Sequence, residues 1–382
     1  MRNRRYFRDG SFDDQPVKHT VSLGAHGGIR SVSIGGDNPI AVQTMWKGKL
    51  GPEHIEGEAG KAVARRIEAL SAIGCNLLRF AVPDTKAAET LGTLASGVSM
   101  PLCADIHFDY RIALRCLDFP IAKLRINPGN IGRKNRVEAV LSKAAAKKVP
   151  VRIGVNAGSL PPALREKLED GRIGRAEALA EAALEEAAVF EEFGFTDFVV
   201  SMKASGIADT IKANRLFRRR SAAPLHIGVT EAGPLVAGSV RSAAALLPLL
   251  AEGIGDTLRV SLSDTMENEV IAAREILNAA AEAGCTRAPK GALIISCPLC
   301  GRNGFDTHAF TGRWMKRLYA LEKPLTIAVM GCAVNGPGEA KHADLGITGA
   351  GNKVLIFGHG KVIRTINADD ADKAFEEELC KL

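Results

Sequence analysis

Between about 40 and 262 the chain keeps one rhythm. Short apolar, β-branched runs alternate with longer Ala/Leu/Glu/Arg-rich segments whose apolar positions recur at helical spacing. The runs are PIAVQTM (39–45), NLLRFAV (76–82), PLCADI (101–106), IAKLRIN (121–127), VPVRIGVN (149–156), DFVVSMK (197–203), PLHIGVT (224–230) and TLRVSL (257–262). Between them lie helix candidates such as GKAVARRIEALSAIG and RAEALAEAALEEAAVFEEFG, with Gly74 and Gly194 placed where a helix C′ glycine belongs. Strands alternating with helices predict βαβ units and a parallel sheet. Eight such units in roughly 220 residues suit a (β/α)8, TIM-type barrel better than an open sheet.

Polar residues fall repeatedly at the C-terminal ends of these runs, where a barrel of this kind builds its active site. Arg79 and Asp84 lie at or after the second run, and Asp105 and His107 close the third. Arg125, Asn127 and Asn130 end the fourth, Arg152 and Asn156 the fifth, and Ser201 and Lys203 the sixth. Thr230 and Glu231 end the seventh, and Arg259 and Ser261 lie on the eighth. A lone strand arginine is usually a solvent-facing residue. Four arginines and a lysine on separate strands of a closed barrel, alternating with apolar neighbours, form an inward ring of positive charge that needs an anion to offset its burial. Guanidinium groups match phosphate oxygens in paired geometry, so a phosphorylated or diphosphorylated substrate is expected, with internal salt bridges as the rival reading. The loops INPGNIG (126–132) and NAGSL (156–160) can present backbone N–H groups to phosphate, although any tight βα turn favours such residues.

After a last helix, MENEVIAAREILNAAAEAG, the rhythm stops. CTRAPKG (285–291) reads as a linker, and the remainder as a smaller α+β unit. It contains ALIISC, a helix at RWMKRLYALE, the strand LTIAVM, a hairpin-like KVLIFGHGKVIRTI and a final helix. The expected division is therefore 1–284 for the barrel with a basic N-terminal arm, and 285–382 for the second domain. A length of 382 residues fits two domains. No run of 18 or more apolar residues occurs, and MRNRRYFRDGSFDD lacks the apolar core of a secretory signal, which predicts a cytoplasmic protein without a membrane span. Fifty basic against forty-three acidic residues leave a net charge of +7, but the basic residues are dispersed. Even the densest internal run, FRRR (217–220), has no aromatic ladder, and with 5% aromatics a nucleic-acid platform is not expected.

Eight cysteines, with no export signal, point to a reducing compartment, where clustered cysteines suggest metal rather than disulfides. Cys75, Cys103 and Cys116 sit in apolar surroundings and read as packing residues. SCPLCGR (296–302) and MGCAVNGPGEA (330–340) are different. Cys297 and Cys300 share a turn after one apolar strand, and Cys332 follows a second that can lie beside it. Three cysteines admit an iron–sulfur cluster, or structural zinc with His308 or His342 as a further ligand. A thioredoxin-like dithiol leaves Cys332 unexplained. Cys380 is a distant fourth candidate. Glu339, seven residues after Cys332 across the sharp NGPGE reversal, is a nearer one, and a carboxylate is a more labile ligand than a thiolate.

SCPLCGR with VMGCAVNGPGEA resembles the cluster-binding signature of the 4-hydroxy-3-methylbut-2-enyl diphosphate synthase family of the methylerythritol phosphate isoprenoid pathway. VQTM, LRFAVPD, ADIHFDYRIAL, KLRINPGNIG, VRIGVNAGSL, VVSMKAS, GVTEAG and EGIGDTLRVSL are similar to its strand-end segments, so the likeness runs from about 20 to 365. With no long insertion between the two parts, the chain resembles the two-domain bacterial form. The resemblance implies a reductive dehydroxylation and ring opening of 2-C-methyl-D-erythritol 2,4-cyclodiphosphate to the linear allylic diphosphate. It implies a [4Fe-4S] cluster held by Cys297, Cys300, Cys332 and Glu339, which delivers electrons singly, with Glu339 yielding its iron to a substrate oxygen. It implies diphosphate binding by Arg125, Arg152, Lys203, Arg259 and Ser261, with Arg79 and Asn156 as helpers. Glu231 matches the family's acid/base carboxylate, with His107 assisting proton transfer. A flavodoxin or ferredoxin would donate the electrons. A homodimer would place one subunit's cluster domain over the other's barrel, excluding water.

One stretch departs from the family. Its loop after the first strand is Thr/Asn-rich, whereas this chain reads WKGKLGPEHIEG (46–57), so Lys47 or Trp46 stands in for those contacts. Two rivals remain. A pterin-type methyl-transfer barrel is permitted by the fold alone but leaves the three cysteines and the glutamate unused. A zinc-ribbon nucleic-acid-binding protein would need a second Cys-x-x-Cys pair and a clustered basic face, and the sequence has neither.

Overall fold

The computed structural model describes residues 18–24, 28–132, 134–156, 158, 160–289, 291–321, 323–333 and 336–382, without the side chain of Asn130. The basic arm at 1–17, positions 157 and 159 of the NAGSL loop, and Val334 and Asn335 of the NGPGE reversal lie outside the described residues. The chain divides into two compact units, the first ending at Pro289 and the second running to Leu382.

The first unit opens with an antiparallel pair, β1 (Thr20–Leu23) and β2 (Val32–Gly35). Eight parallel strands follow: β3 (Ala41–Met45), β4 (Leu77–Ala81), β5 (Leu102–Asp105), β6 (Lys123–Ile126), β7 (Val151–Asn156), β8 (Phe198–Lys203), β9 (His226–Ile227) and β10 (Thr257–Leu258). Each lies within one of the eight apolar runs. Their order is β8-β7-β6-β5-β4-β3-β10-β9, and a parallel bridge between Val200 and Leu225 joins the two ends into the expected barrel. The helices between them end as their glycines predict. Arg175–Glu192 stops at Phe193 with Gly194 at φ +72°, and Gly57–Ala72 stops at Ile73 with Gly74 at φ +101°.

The strands Thr20–Leu23 and Val32–Gly35, where the sequence pattern announces no element, supply the barrel's floor. Val21, Leu23 and Ile34 are fully buried against Ala41, Leu77 and Val199, closing the N-terminal end of the barrel with apolar contact. The linker residues around Arg287 also belong to this unit. Arg287 pairs with buried Asp256 at 2.7 Å and donates to the carbonyls of Gly253 and Gly255. These bonds hold the segment after Cys285 on the barrel, and the division falls at Pro289 for that reason.

The second unit is a five-stranded sheet: β11 (Leu293–Ser296), β12 (Thr326–Met330), β13 (Leu345–Ala350), β14 (Lys353–Gly358) and β15 (Lys361–Asn367), in that order. The first three strands are parallel and the last two antiparallel. The turn between β14 and β15 is His359-Gly360 with φ +49° and +75°, the double left-handed geometry that lets two residues reverse a hairpin. Alternation along β12 builds two cores. Ile327 and Val329 pack with Phe310, Trp314 and Phe375 of the helices Thr307–Tyr319 and Ala371–Leu379. Ala328 and Met330 pack on the other face with Ala340, Ala343 and Phe357. Among the described residues no helix is long and apolar enough to cross a membrane.

Candidate active site and cluster donors

Along each barrel strand alternate positions face the interior, and on β4 to β8 and just past β10 those positions carry charge. Six basic side chains, Arg79, Lys123, Arg125, Arg152, Lys203 and Arg259, face two carboxylates, Asp105 and Glu269, with every one of them less than 15% exposed. The excess of cations inside a barrel is the feature that defines this site.

The two carboxylates sit on opposite flanks. Asp105 accepts from Arg125 Nη1 at 3.0 Å and lies 3.4 Å from Arg79 Nε. His107 Nε2 is 3.3 Å from Arg125 Nη1 and 3.7 Å from Asp105. Burial alone would raise the Asp105 carboxyl. The His107 hydrogen bond and the charges of Arg79, Arg125 and Arg152 outweigh it and hold the group well below the usual carboxylate range. Gly154 makes room for this arrangement, since a Cβ there would stand 2.5 Å from Arg125 Nε.

Glu269, in the first turn of the helix Met266–Glu282, serves the other flank. It accepts from Thr44 Oγ1 at 2.5 Å, the Leu262 amide at 2.9 Å and Arg259 Nη2 at 3.3 Å, and it pairs with Lys47 Nζ at 3.0 Å. Lys47 also donates to the carbonyls of Leu262 and Asp264. The loop after β3 is thereby tied to the segment after β10, and Trp46 stacks on Phe80 at 5.4 Å with the Arg66 guanidinium 5.6 Å from its ring. Sequence reasoning misses Glu269 because a glutamate in a first helical turn is ordinarily a surface residue favoured by the helix dipole.

Arg152 and Lys203 lie between these flanks, and among the described residues neither pairs with a carboxylate. Arg152 is 1% exposed and its Nε and Nη1 have no partner there. Burial, and then repulsion from Arg79 and Arg125, pushes its guanidinium well below the ordinary arginine range. Burial acts on Lys203 in the same way, followed by Arg152, Arg79, Arg259 and Arg125. A pair of buried, repelling cations is the place where an anion gains most.

The remaining expected residues stand around this centre. Asn156 ends β7 in register with Lys203. Ser261 is half-buried beside the bridge between Gly233 and Leu262. Glu231 is exposed in the turn after β9, with its backbone at φ +54°. That left-handed conformation is costly for a residue with a Cβ, and such strain clusters at functional sites.

In the second unit, Cys297 follows β11 and Cys332 follows β12, its paired parallel neighbour. The Cys297 amide donates to the Val329 carbonyl at 3.0 Å and Gly304 to Gly331 at 2.8 Å, so both cysteine turns leave the same end of the sheet. At Gly331 a Cβ would stand 2.5 Å from Asn303 Oδ1, so the turn packs closely on the Asn303 side chain. Cys297 packs in the same cluster as Ala340, the neighbour of exposed Glu339. Cys300 is exposed on the intervening loop, where Leu299 is at φ +62°. Among the described residues no three Cys, His, Asp or Glu side chains are gathered closely enough to hold a metal ion. His308 and His342 are exposed, and Cys380 lies on the C-terminal helix, 3.5 Å from Glu376. As donor types, three thiols and a carboxylate suit an iron–sulfur centre better than a hard cation.

Residues 26–274 match the family model described as the GcpE TIM-barrel domain, and residues 293–381 match that of the GcpE protein C-terminal domain. The chain belongs to the GcpE family. It is similar to proteins named 4-hydroxy-3-methylbut-2-en-1-yl diphosphate synthase (flavodoxin). That of Treponema pallidum (strain Nichols) is 50% identical over 379 residues, 95% of this chain and 91% of the relative. That of Treponema denticola (strain ATCC 35405) is 46% identical over 392 residues, 96% and 99% of the two chains. That of Geobacter sulfurreducens is 43% identical over 350 residues, 91% and 95%. Among solved structures, dihydropteroate synthase from Thermus thermophilus is 14% identical with a TM-score of 0.45, over 67% of this chain and 97% of that one, a likeness too slight to carry an argument.

Proposed function

We infer that this GcpE-family chain is a 4-hydroxy-3-methylbut-2-en-1-yl diphosphate synthase that reductively opens 2-C-methyl-D-erythritol 2,4-cyclodiphosphate. The observation that carries the reading is the buried pair Arg152 and Lys203, without a carboxylate partner among the described residues, in an interior where six described cations face two carboxylates. A diphosphate supplies the missing negative charge. In this reading Arg152 and Lys203 bind its oxygens from below. Arg125 and Arg79, held by Asp105, and Arg259, held by Glu269, close on it from either side. Asn156 and Ser261 supply uncharged hydrogen bonds at the rim.

The reaction takes two electrons, opens one carbon–oxygen bond to phosphate and releases a hydroxyl as water after it gains a proton. Glu231 is the candidate for moving that proton, because it stands at the C-terminal end of the barrel on a strained turn that fixes its direction. His107, bonded toward Asp105 and Arg125, assists. A [4Fe-4S] cluster bound by Cys297, Cys300, Cys332 and Glu339 would supply the electrons one at a time. The donor is a flavodoxin or ferredoxin, in keeping with the relatives' names. The cations lie in one unit and the sulfur donors in the other, and a cytoplasmic homodimer that brings one subunit's donors to its partner's barrel completes the reading.

Anaerobic purification with iron and sulfide analysis tests it. The expected protein carries about four of each per chain and gives a paramagnetic signal on reduction, and Cys332→Ser abolishes its visible absorbance. Zinc in place of iron in oxygen-free material contradicts the assignment.

A further inference from the structure

Barrels of this class ordinarily fill their interior with branched apolar side chains. Here a polar layer lies between the apolar floor and the arginines. Gln43 on β3, Lys123 on β6, Arg152 on β7, His226 on β9 and Thr257 on β10 are each at most 1% exposed. Lys123 Nζ donates to Gln43 Oε1 at 3.2 Å, a bond between strands that are not neighbours and therefore one that crosses the interior. Thr257 is the register partner of His226. Burial first, then the charges of Lys203, Arg152 and Lys123, keeps His226 neutral.

Almost nothing in this layer is satisfied by protein. Gln43 Nε2, Arg152 Nε and Nη1, both ring nitrogens of His226 and Thr257 Oγ1 have no partner among the described residues. Each orphaned buried group costs about 1–3 kcal/mol, and native proteins hold only a few per hundred residues. These six atoms stand on four side chains of strands that enclose one interior. The set is also chemically one-sided, since amide and guanidinium donors outnumber the acceptors offered by Thr257 and one His226 nitrogen. Water oxygen accepts two hydrogen bonds, and a buried water needs two to four polar partners, which this layer supplies.

We propose that the barrel floor beneath the arginines is a closed solvent chamber, whose ordered water bridges Gln43, His226, Thr257 and the underside of Arg152. Such water solvates Arg152 and Lys123 from below, so both remain charged without a carboxylate beside them. The proposal concerns the protein without substrate and stands apart from the reading of its reaction.

Thr257→Val tests it by the sign of its effect on thermal unfolding of the full chain. If the layer is dry, the exchange removes an orphaned polar group and the melting temperature holds or rises. If it is wet, it removes a partner of bound water, and the melting temperature falls by about 2–4 °C. A crystal structure of the wild-type chain that resolves ordered solvent gives the direct reading, whether or not the variant folds. Water within hydrogen-bond distance of both His226 and Thr257 is expected. A direct Gln43–His226 bond with no density between the two side chains, or a Thr257→Val protein at least as stable as wild type, overturns the proposal.

Discussion

Arg152→Met separates a binding role from a structural one by moving two quantities in opposite directions. Arg152 is 1% exposed, two of its guanidinium nitrogens have no partner among the described residues, and the surrounding charges that act on it most, Arg79 and Arg125, are repulsive. Methionine is close in length and carries no charge. Even for a buried ion pair, replacement by apolar side chains of similar volume is typically neutral or stabilising by about 1–4 kcal/mol. Removing a buried cation faced by repelling cations gains at least as much, which outweighs the loss of one partner of buried water, so the ligand-free variant should melt at or above the wild-type temperature. A charge-assisted hydrogen bond is worth about 1.5–3 kcal/mol, so losing one to a phosphate oxygen weakens binding by roughly 10- to 150-fold. Isothermal titration with the cyclic diphosphate and thermal unfolding without it, in one buffer, measure both. A variant that melts several degrees lower and binds the diphosphate unchanged would refute the reasoning, because Arg152 would then be paired within the barrel.

Glu269→Gln should raise KM for the cyclic diphosphate about tenfold while kcat changes little. The amide still accepts from the Leu262 N–H, but Arg259 and Lys47 lose their shared charge; an unchanged KM in steady-state assays counts against the role. Glu231→Gln should keep diphosphate affinity within about twofold and lose at least ~100-fold in turnover, and normal turnover removes Glu231 from the proton transfer. Glu186 yields a pH test. Burial, only partly offset by the Gly129 N–H, raises its carboxyl to about 7. A raised carboxyl stabilises the fold fully below its unfolded value near 4.5, and that contribution is lost as pH rises through 7. Glu186→Gln should therefore match or trail wild type at pH 5 and exceed it at pH 8 by ~1–3 kcal/mol in denaturant unfolding. Equal stability differences at both pH values contradict this.

Period and punctuation carry most of the first unit. The eight apolar runs, ended by glycine-stopped helices, predict the barrel strand by strand, because a doubly buried parallel strand is apolar throughout and cannot be hidden among loops. The cations are legible for a related reason: a charged residue inside such a run has nowhere to go but the lumen. What escapes is anything defined by a partner distant in sequence. Glu269 looks like a dipole-favoured surface glutamate until Arg259, Lys47 and Thr44 are seen to converge on it. The floor at 20–35 is two four-residue strands, too short for periodicity to register. Asp105 is readable as a strand-end carboxylate, yet its function as the counter-charge to Arg79 and Arg125 emerges only from the 3.4 and 3.0 Å contacts. For the cysteines, spacing predicts that Cys297 and Cys332 leave adjacent strands, and they do. Spacing does not gather the thiols and Glu339 into one site, because that depends on loop conformation rather than on strand register.

The most direct test of the whole account is turnover followed by phosphorus NMR under strict anaerobiosis, with iron-loaded protein, reduced flavodoxin and 2-C-methyl-D-erythritol 2,4-cyclodiphosphate. The account predicts that the ring diphosphate signals give way to those of a linear allylic diphosphate, with two electrons consumed for each molecule converted. Cyclic diphosphate left intact by protein carrying its full complement of iron would contradict it.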